Sequence, residues 1–156
     1  MPELVLTVDV DAPPEQVFAA LVDWTTQGEW MLLTDVRTVS GDAQGVGGQI
    51  AATTGIPLPG GRRLGVLDTM TITSWDPPHA VDVVHTGRVV KGTGSFQVRE
   101  RSGGSTFVWV ENLDLPLGAL GRLGWPLVKP GFVAGVRLSL KRFARYAESR
   151  PGTTRP

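Results

Sequence analysis

The sequence predicts an α+β domain in which a strongly curved antiparallel sheet closes around a long C-terminal helix. Three observations carry that expectation: an alternating strand pattern opens the chain, glycine-punctuated alternating segments fill its middle, and a helical apolar stripe ends it. A sheet with one apolar face must bury it against another element, and the order of elements offers only the last helix.

Leu4, Leu6, Val8 and Val10 alternate with Val5, Thr7, Asp9 and Asp11, which is the period of a strand with one buried face. Asp11-Ala12-Pro13-Pro14-Glu15 then starts a helix, because proline in the first turn loses no needed N–H and Glu15 sits near the positive end of the dipole. Val17, Phe18, Leu21, Val22 and Trp24 follow at helical spacing, predicting a helix over 14–23 and a second short helical piece from Trp24 to Met31. Six further strands are expected at 36–40, 48–54, 63–75, 80–86, 90–101 and 105–115, making seven in all. The turns between them are short and rich in Gly and Pro, as an antiparallel meander requires. Leu115 to Gly124 reads as a connector, and a helix from about Pro126 or Pro130 to Ser149 presents Val133, Val136, Leu140, Phe143, Ala144 and Ala147 as one stripe. Residues 1–150 are read as a single domain, since cores divide only beyond ~250 residues, and 151–156 as a disordered tail.

The charge balance removes several classes of function. Lys plus Arg is 15 and Asp plus Glu is 15, so no net field draws in nucleic acid or anionic lipid. The absence of cysteine excludes disulfides and thiolate chemistry and suits a cytoplasmic protein. Met1-Pro2-Glu3-Leu4 has no leader character, and no apolar run reaches the ~18 residues of a membrane span, so no stable membrane insertion is expected. Gly45-Val46-Gly47-Gly48 lies between strands instead of opening a helix, and no Gly-x-Ser-x-Gly elbow occurs. Two histidines without helical His-x-x-x-His spacing argue against a metal site, and no metal or organic cofactor is expected.

The arrangement resembles the helix-grip fold of the START-like superfamily, which includes polyketide cyclase/dehydrase and lipid-transfer proteins. The likeness covers nearly the whole chain. It rests on Val8-Asp9-Val10-Asp11-Ala12-Pro13-Pro14-Glu15-Gln16-Val17-Phe18, on the Asp23-Trp24 to Glu29-Trp30 segment, and on Trp75-Asp76-Pro77-Pro78. Gly104-Ser105-Thr106-Phe107-Val108-Trp109 and Ser139-Leu140-Lys141-Arg142-Phe143 complete it. The resemblance implies a seven-stranded sheet wrapped around the C-terminal helix with two short helices after strand one. It implies little about activity, because one fold hosts many functions.

Strand parity supplies candidate site residues. Leu64, Val66, Asp68, Met70 and Ile72 share a face, as do Val81, Val83 and His85. Val90, Gly92, Gly94, Phe96 and Val98 form a third such row, and Phe107, Trp109, Glu111 and Leu113 a fourth. Asp68, His85 and Glu111 therefore fall on otherwise apolar faces, where charge is costly unless paired. Their readings are an internal salt bridge, a partner for the polar end of a ligand, or an acid/base group with His85 at its centre. The ligand-lining candidates are Val66, Met70, Val83, Phe96, Phe107 and Trp109 on the sheet, with Gly92 and Gly94 leaving room. Trp30 and Met31 join them from the short helical segment, and Val133, Val136 and Leu140 from the last helix. Trp125 reads as a gate in the connector, as a surface that touches membrane or partner, or as part of a connector packed down on the last helix, and His79 reads as a solvated turn residue.

The expected function is to bind a small hydrophobic ligand, such as a lipid, an isoprenoid or a polyketide-like molecule, in an internal cavity. The alternatives are a cofactor-independent polyketide cyclase or dehydratase using a cavity acid/base, and an interaction scaffold whose cavity is vestigial. The sequence does not fix the oligomeric state.

Overall fold

The computed structural model describes residues 3–114 and 118–150. Strand β1 (Glu3–Val10) is followed by α1 (Pro14–Leu21) and a short 3₁₀ helix (Trp24–Glu29). Strands β2 (Thr34–Thr38), β3 (Gln49–Leu58), β4 (Arg62–Asp76), β5 (Ala80–Thr86), β6 (Lys91–Arg101) and β7 (Gly104–Asp114) come next, and α2 (Ala119–Ser149) closes the chain. The strands form one antiparallel sheet of seven in the order β1-β7-β6-β5-β4-β3-β2. The expected class, strand count and pair of short helices are all found.

α1 starts as its prolines dictate, with Pro14 inside the first turn and Glu15 beside it, and it buries Val17, Phe18, Ala20 and Leu21. The main core lies between α1, the last three turns of α2 and the concave face of the sheet, with Val10, Ile72, Val81, Phe107 and Phe143 fully enclosed. Aromatic contacts tie these layers together. Phe143 on α2 meets Trp30 at 4.8 Å and Phe107 at 4.9 Å between ring centres, and Phe96 stacks on Phe107 at 6.4 Å.

β2 lies two residues earlier than the expected 36–40, and three larger departures from the sequence reading have identifiable causes. First, α2 begins at Ala119, so residues 119–124 of the expected connector are helix and Trp125 stands within it, 5.9 Å from the ring of Phe132. Pro126 and Pro130, expected to mark the helix start, are both inside it. Each removes one hydrogen bond, and both are exposed, as are Arg122 and Pro126 whose carbonyls are freed. The remainder of that connector, and the tail expected at 151–156, lie outside the described residues.

Second, β3 runs to Leu58 instead of stopping at residue 54. Pro57 is tolerated because β2 pairs with β3 only from Ile50 to Thr54. Past Gly55, whose N–H still meets the Leu33 carbonyl, the outer edge of β3 is free and no partner needs the missing N–H. On the other side, β5 pairs with β4 only from Met70 onward. Residues 55–58 and 62–67 thus project past the sheet as a two-stranded ribbon.

Third, the β4–β5 register shifts between Ile72 and Ser74. The extra residue returns Trp75 to the concave side, where it meets Phe18 edge-on at 5.6 Å; unbroken alternation from Ile72 would have turned it outward.

Gly92 is dictated by the backbone. It has φ +115°, and a Cβ there would come within 1.9 Å of the Asn112 carbonyl oxygen. The expectation that Gly92 leaves room for a ligand is corrected accordingly: its missing side chain accommodates β7. Gly92→Ala is expected to lower the unfolding free energy by about 2 kcal/mol or more, read as a reduced urea midpoint with an unchanged slope.

Candidate functional site

The four strands β4 to β7 present one row of residues each to the concave side, and near one end of the sheet these rows bring three ionisable groups together. His85 is directly opposite Met70 on β4, two residues along from Asp68. Its Nδ1 lies 2.8 Å from Asp68 Oδ1, and its Nε2 lies 2.9 Å from Glu111 Oε2. Glu111 in turn accepts a hydrogen bond from Trp109 Nε1 through its other oxygen at 2.7 Å. Asp68 and Trp109 are partly covered, whereas His85 and Glu111 are buried.

His85 and Glu111 belong to strands that are not neighbours, since β6 runs between β5 and β7. Two strand spacings separate them by roughly 10 Å of backbone. Their side chains meet because β6 offers Gly94 at the crossing, paired with Val83 on one side and Glu111 on the other. A Cβ on Gly94 would be 3.1 Å from Glu111 Oε1 and 3.2 Å from Val83 Cγ2. The space expected here for a ligand is occupied by the ion pair.

Burial of the imidazole lowers its pKa, but the hydrogen bonds to Asp68 and Glu111 and the attraction of both carboxylates outweigh that effect. The His85 pKa is pushed up to about 10. His85 is therefore an imidazolium at neutral pH, donating from both ring nitrogens, and with two carboxylates it forms a cluster of net charge minus one.

The remaining sequence candidates divide into two groups. Trp30, Val83, Phe96, Phe107 and Leu140 are buried in the core beneath the triad. Met31, Met70, Trp109, Val133 and Val136 pack against that core but keep some exposure, and Val66 is exposed on the concave face of the ribbon beside Leu64 and Ile56. Next to the triad is a narrow crevice, with a volume of only about 10 Å³, lined by Leu4, Leu6, Trp109, Glu111, Phe132 and Val136. Of these, Phe132 was missed by the sequence reading. It lies one helical turn before Val136, within the expected helix, and the i, i+4 spacing from Phe132 to Val136 is the signal that could have found it. His79 is exposed in its turn, as expected.

A curved sheet gripping a C-terminal helix, with a charged cluster set into its apolar concave side, defines a helix-grip protein of START-like type. The chain belongs to the polyketide cyclase/dehydrase and lipid transport family, whose model matches residues 1–148. An uncharacterized protein of Mycobacterium tuberculosis, Rv1546 of strain H37Rv, is 32% identical over 149 residues, covering 92% of this chain and 97% of its own length. Among solved structures, TTHA0849 from Thermus thermophilus superposes with a TM-score of 0.73 at 16% identity, covering 94% of this chain and 97% of the other. The di-domain ARO/CYC BexL from the BE-7585A biosynthetic pathway matches with a TM-score of 0.71 at 18% identity over 96% of this chain and 51% of BexL. These structural likenesses establish the fold.

Two outcomes test the triad. The raised pKa means that the folded chain holds the His85 proton above its ordinary value of 6.5. The resulting stability is fully present below pH ~6.5 and is lost as pH rises through about 10. The His85 ring resonances are expected to show the imidazolium at pH 8, and Gly94→Val, by displacing Glu111, to bring the midpoint down. His85→Ala, which leaves two carboxylates without their cation, is expected to cost about 3–5 kcal/mol in chemical denaturation, with part recovered by adding Glu111→Gln.

Proposed function

We propose that this protein binds a small, largely hydrophobic molecule and does not use His85 as a proton-transfer catalyst. One observation carries the reading: both ring nitrogens of His85 are engaged by carboxylates, at 2.8 and 2.9 Å. A general acid/base needs a nitrogen free to meet substrate and a pKa near the working pH. His85 has neither, so its cluster fits the salt-bridge and ligand-anchoring readings better than the catalytic one.

The ligand's apolar body would lie along the concave face at the base of the ribbon, where Val66 is uncovered, and would widen the narrow crevice beside Phe132 and Val136 as it enters. Residues 1–150 would act as one domain in doing so. The polar end would meet the triad, where Asp68 Oδ2 is the one carboxylate oxygen without a hydrogen-bond partner among the described residues. That oxygen accepts only, and the cluster carries net negative charge. A hydroxyl-bearing lipid, isoprenoid or polyketide-like molecule therefore suits the site better than a carboxylate.

The second reading, a cofactor-independent cyclase or dehydratase, draws on the family's description and on the ARO/CYC function in BexL's name. In that reading Asp68 Oδ2, not His85, is the available base.

Native mass spectrometry of freshly purified protein is expected to show a co-purified molecule, and a long-chain alcohol to displace an environment-sensitive dye about tenfold more tightly than the fatty acid of equal length. Val66→Arg, an exposed change, is expected to abolish dye binding while the thermal melt is kept. Tighter displacement by the fatty acid would reject the proposed anchor, and absence of any dye binding would reject the ligand reading itself.

A further inference from the structure

The N-terminal half of α2 carries an apolar stripe on the side away from the fold. Leu120, Leu123 and Leu127 are 70%, 75% and 85% exposed and follow the helical spacing of a single face. At about 100° per residue, Leu127 lies roughly half a turn around the helix from Val136, which lines the crevice. A ligand held against the sheet would leave these leucines bare, so the proposed ligand site does not explain them. At the tip of the β3–β4 ribbon, Ile56 and Leu64 face one another and are 61% and 66% exposed.

Both features lie at the same end of the molecule. Glu3 pairs with Asn112 and Lys91 with Asp114, so β1 starts where β7 ends, beside the β5–β6 turn. The ribbon extends past Met70, the last β4 residue paired to β5 on that side, and α2 begins five residues after Asp114. The same end gathers Arg62, Arg63, Arg88, Lys91, Arg122 and Lys129, against Glu3, Asp35 and Asp114; Asp68 and Glu111 are turned inward onto His85. In a chain whose 15 cations equal its 15 acids, charge is thus segregated along the molecule.

We infer that this end is a docking surface for an anionic phospholipid bilayer. Bare aliphatic side chains enter the headgroup boundary, and lysine and arginine around them bind anionic headgroups. A protein partner is the poorer match. Interface energy usually concentrates in aromatic residues and arginine seated in pockets, whereas here leucines stand on a projecting helix face with no socket of their own. No helix among the described residues is long and apolar enough to cross a membrane, so the contact is peripheral.

Co-sedimentation of the full chain with vesicles tests this directly. Binding is expected to phosphatidylcholine vesicles containing phosphatidylserine, about tenfold weaker to phosphatidylcholine alone, and reduced by raised salt. Leu123→Glu with Leu127→Glu is expected to abolish it, and Arg62→Glu with Arg63→Glu to weaken it several-fold, with circular dichroism melts confirming that these exposed changes leave the fold intact. Absence of binding to either vesicle, or full binding by the folded leucine variant, overturns the proposal. So does a concentration-dependent dimer in sedimentation velocity that the leucine variant loses, which would assign the face to a second copy. Dye binding by the same variants separates the two proposals: it should survive the leucine changes, since those side chains lie outside the ligand site.

Discussion

A seven-stranded sheet with one apolar face has a single long helix to cover it, and only the second half of that helix enters the core. From Ser139 onward α2 buries Leu140, Phe143, Ala144 and Ala147, with Phe143 wedged between Trp30 and Phe107. Everything toward the other end follows from that unequal coverage. Where the helix packs, the concave face is filled; where it does not, strand residues of the same parity remain open, and the site lies at the transition between the two regimes.

The charged triad is placed at this transition for a physical reason. A carboxylate deep in the core would be too costly to desolvate, and one at the rim would gain little from a partner in water. At the boundary, Asp68 keeps some solvent while Glu111 is supported by both His85 and Trp109. The cluster spans three gaps between strands, from β4 to β7, and so it also fixes their relative positions. Its negative net charge gives an otherwise apolar region a preference among the polar groups a ligand could present.

Much of this was legible from residue order alone. Alternation gave β5 with its bounds correct and gave β4, β6 and β7 within one residue, because inward apolar residues recur along most of each strand and Gly- or Pro-containing turns bound them. The same parity placed Asp68, His85 and Glu111 on one side of the sheet, and the triad is found there. What parity does not contain is distance between strands, so the sequence could not show that His85 reaches Glu111 over Gly94. Nor does it contain coverage: the same alternation describes Ile72, which is buried, and Leu64, which is open. Proline misled in both helix and strand. Pro126, Pro130 and Pro57 all sit where their lost hydrogen bond is inexpensive, a property of surroundings that local sequence does not express.

The shortness of β2 has a further consequence. Because it ends its pairing at Thr54 of β3, the chain carries an unpaired strand edge over residues 56–58, bearing Ile56 and Leu58. Such an edge is a template on which a second copy could add a strand, the first step of edge-to-edge aggregation. Pro57 interrupts it, because an incoming strand would find no donor at that position and would meet the pyrrolidine ring. A residue that weakens the strand as a strand thereby also guards its open edge against an added strand.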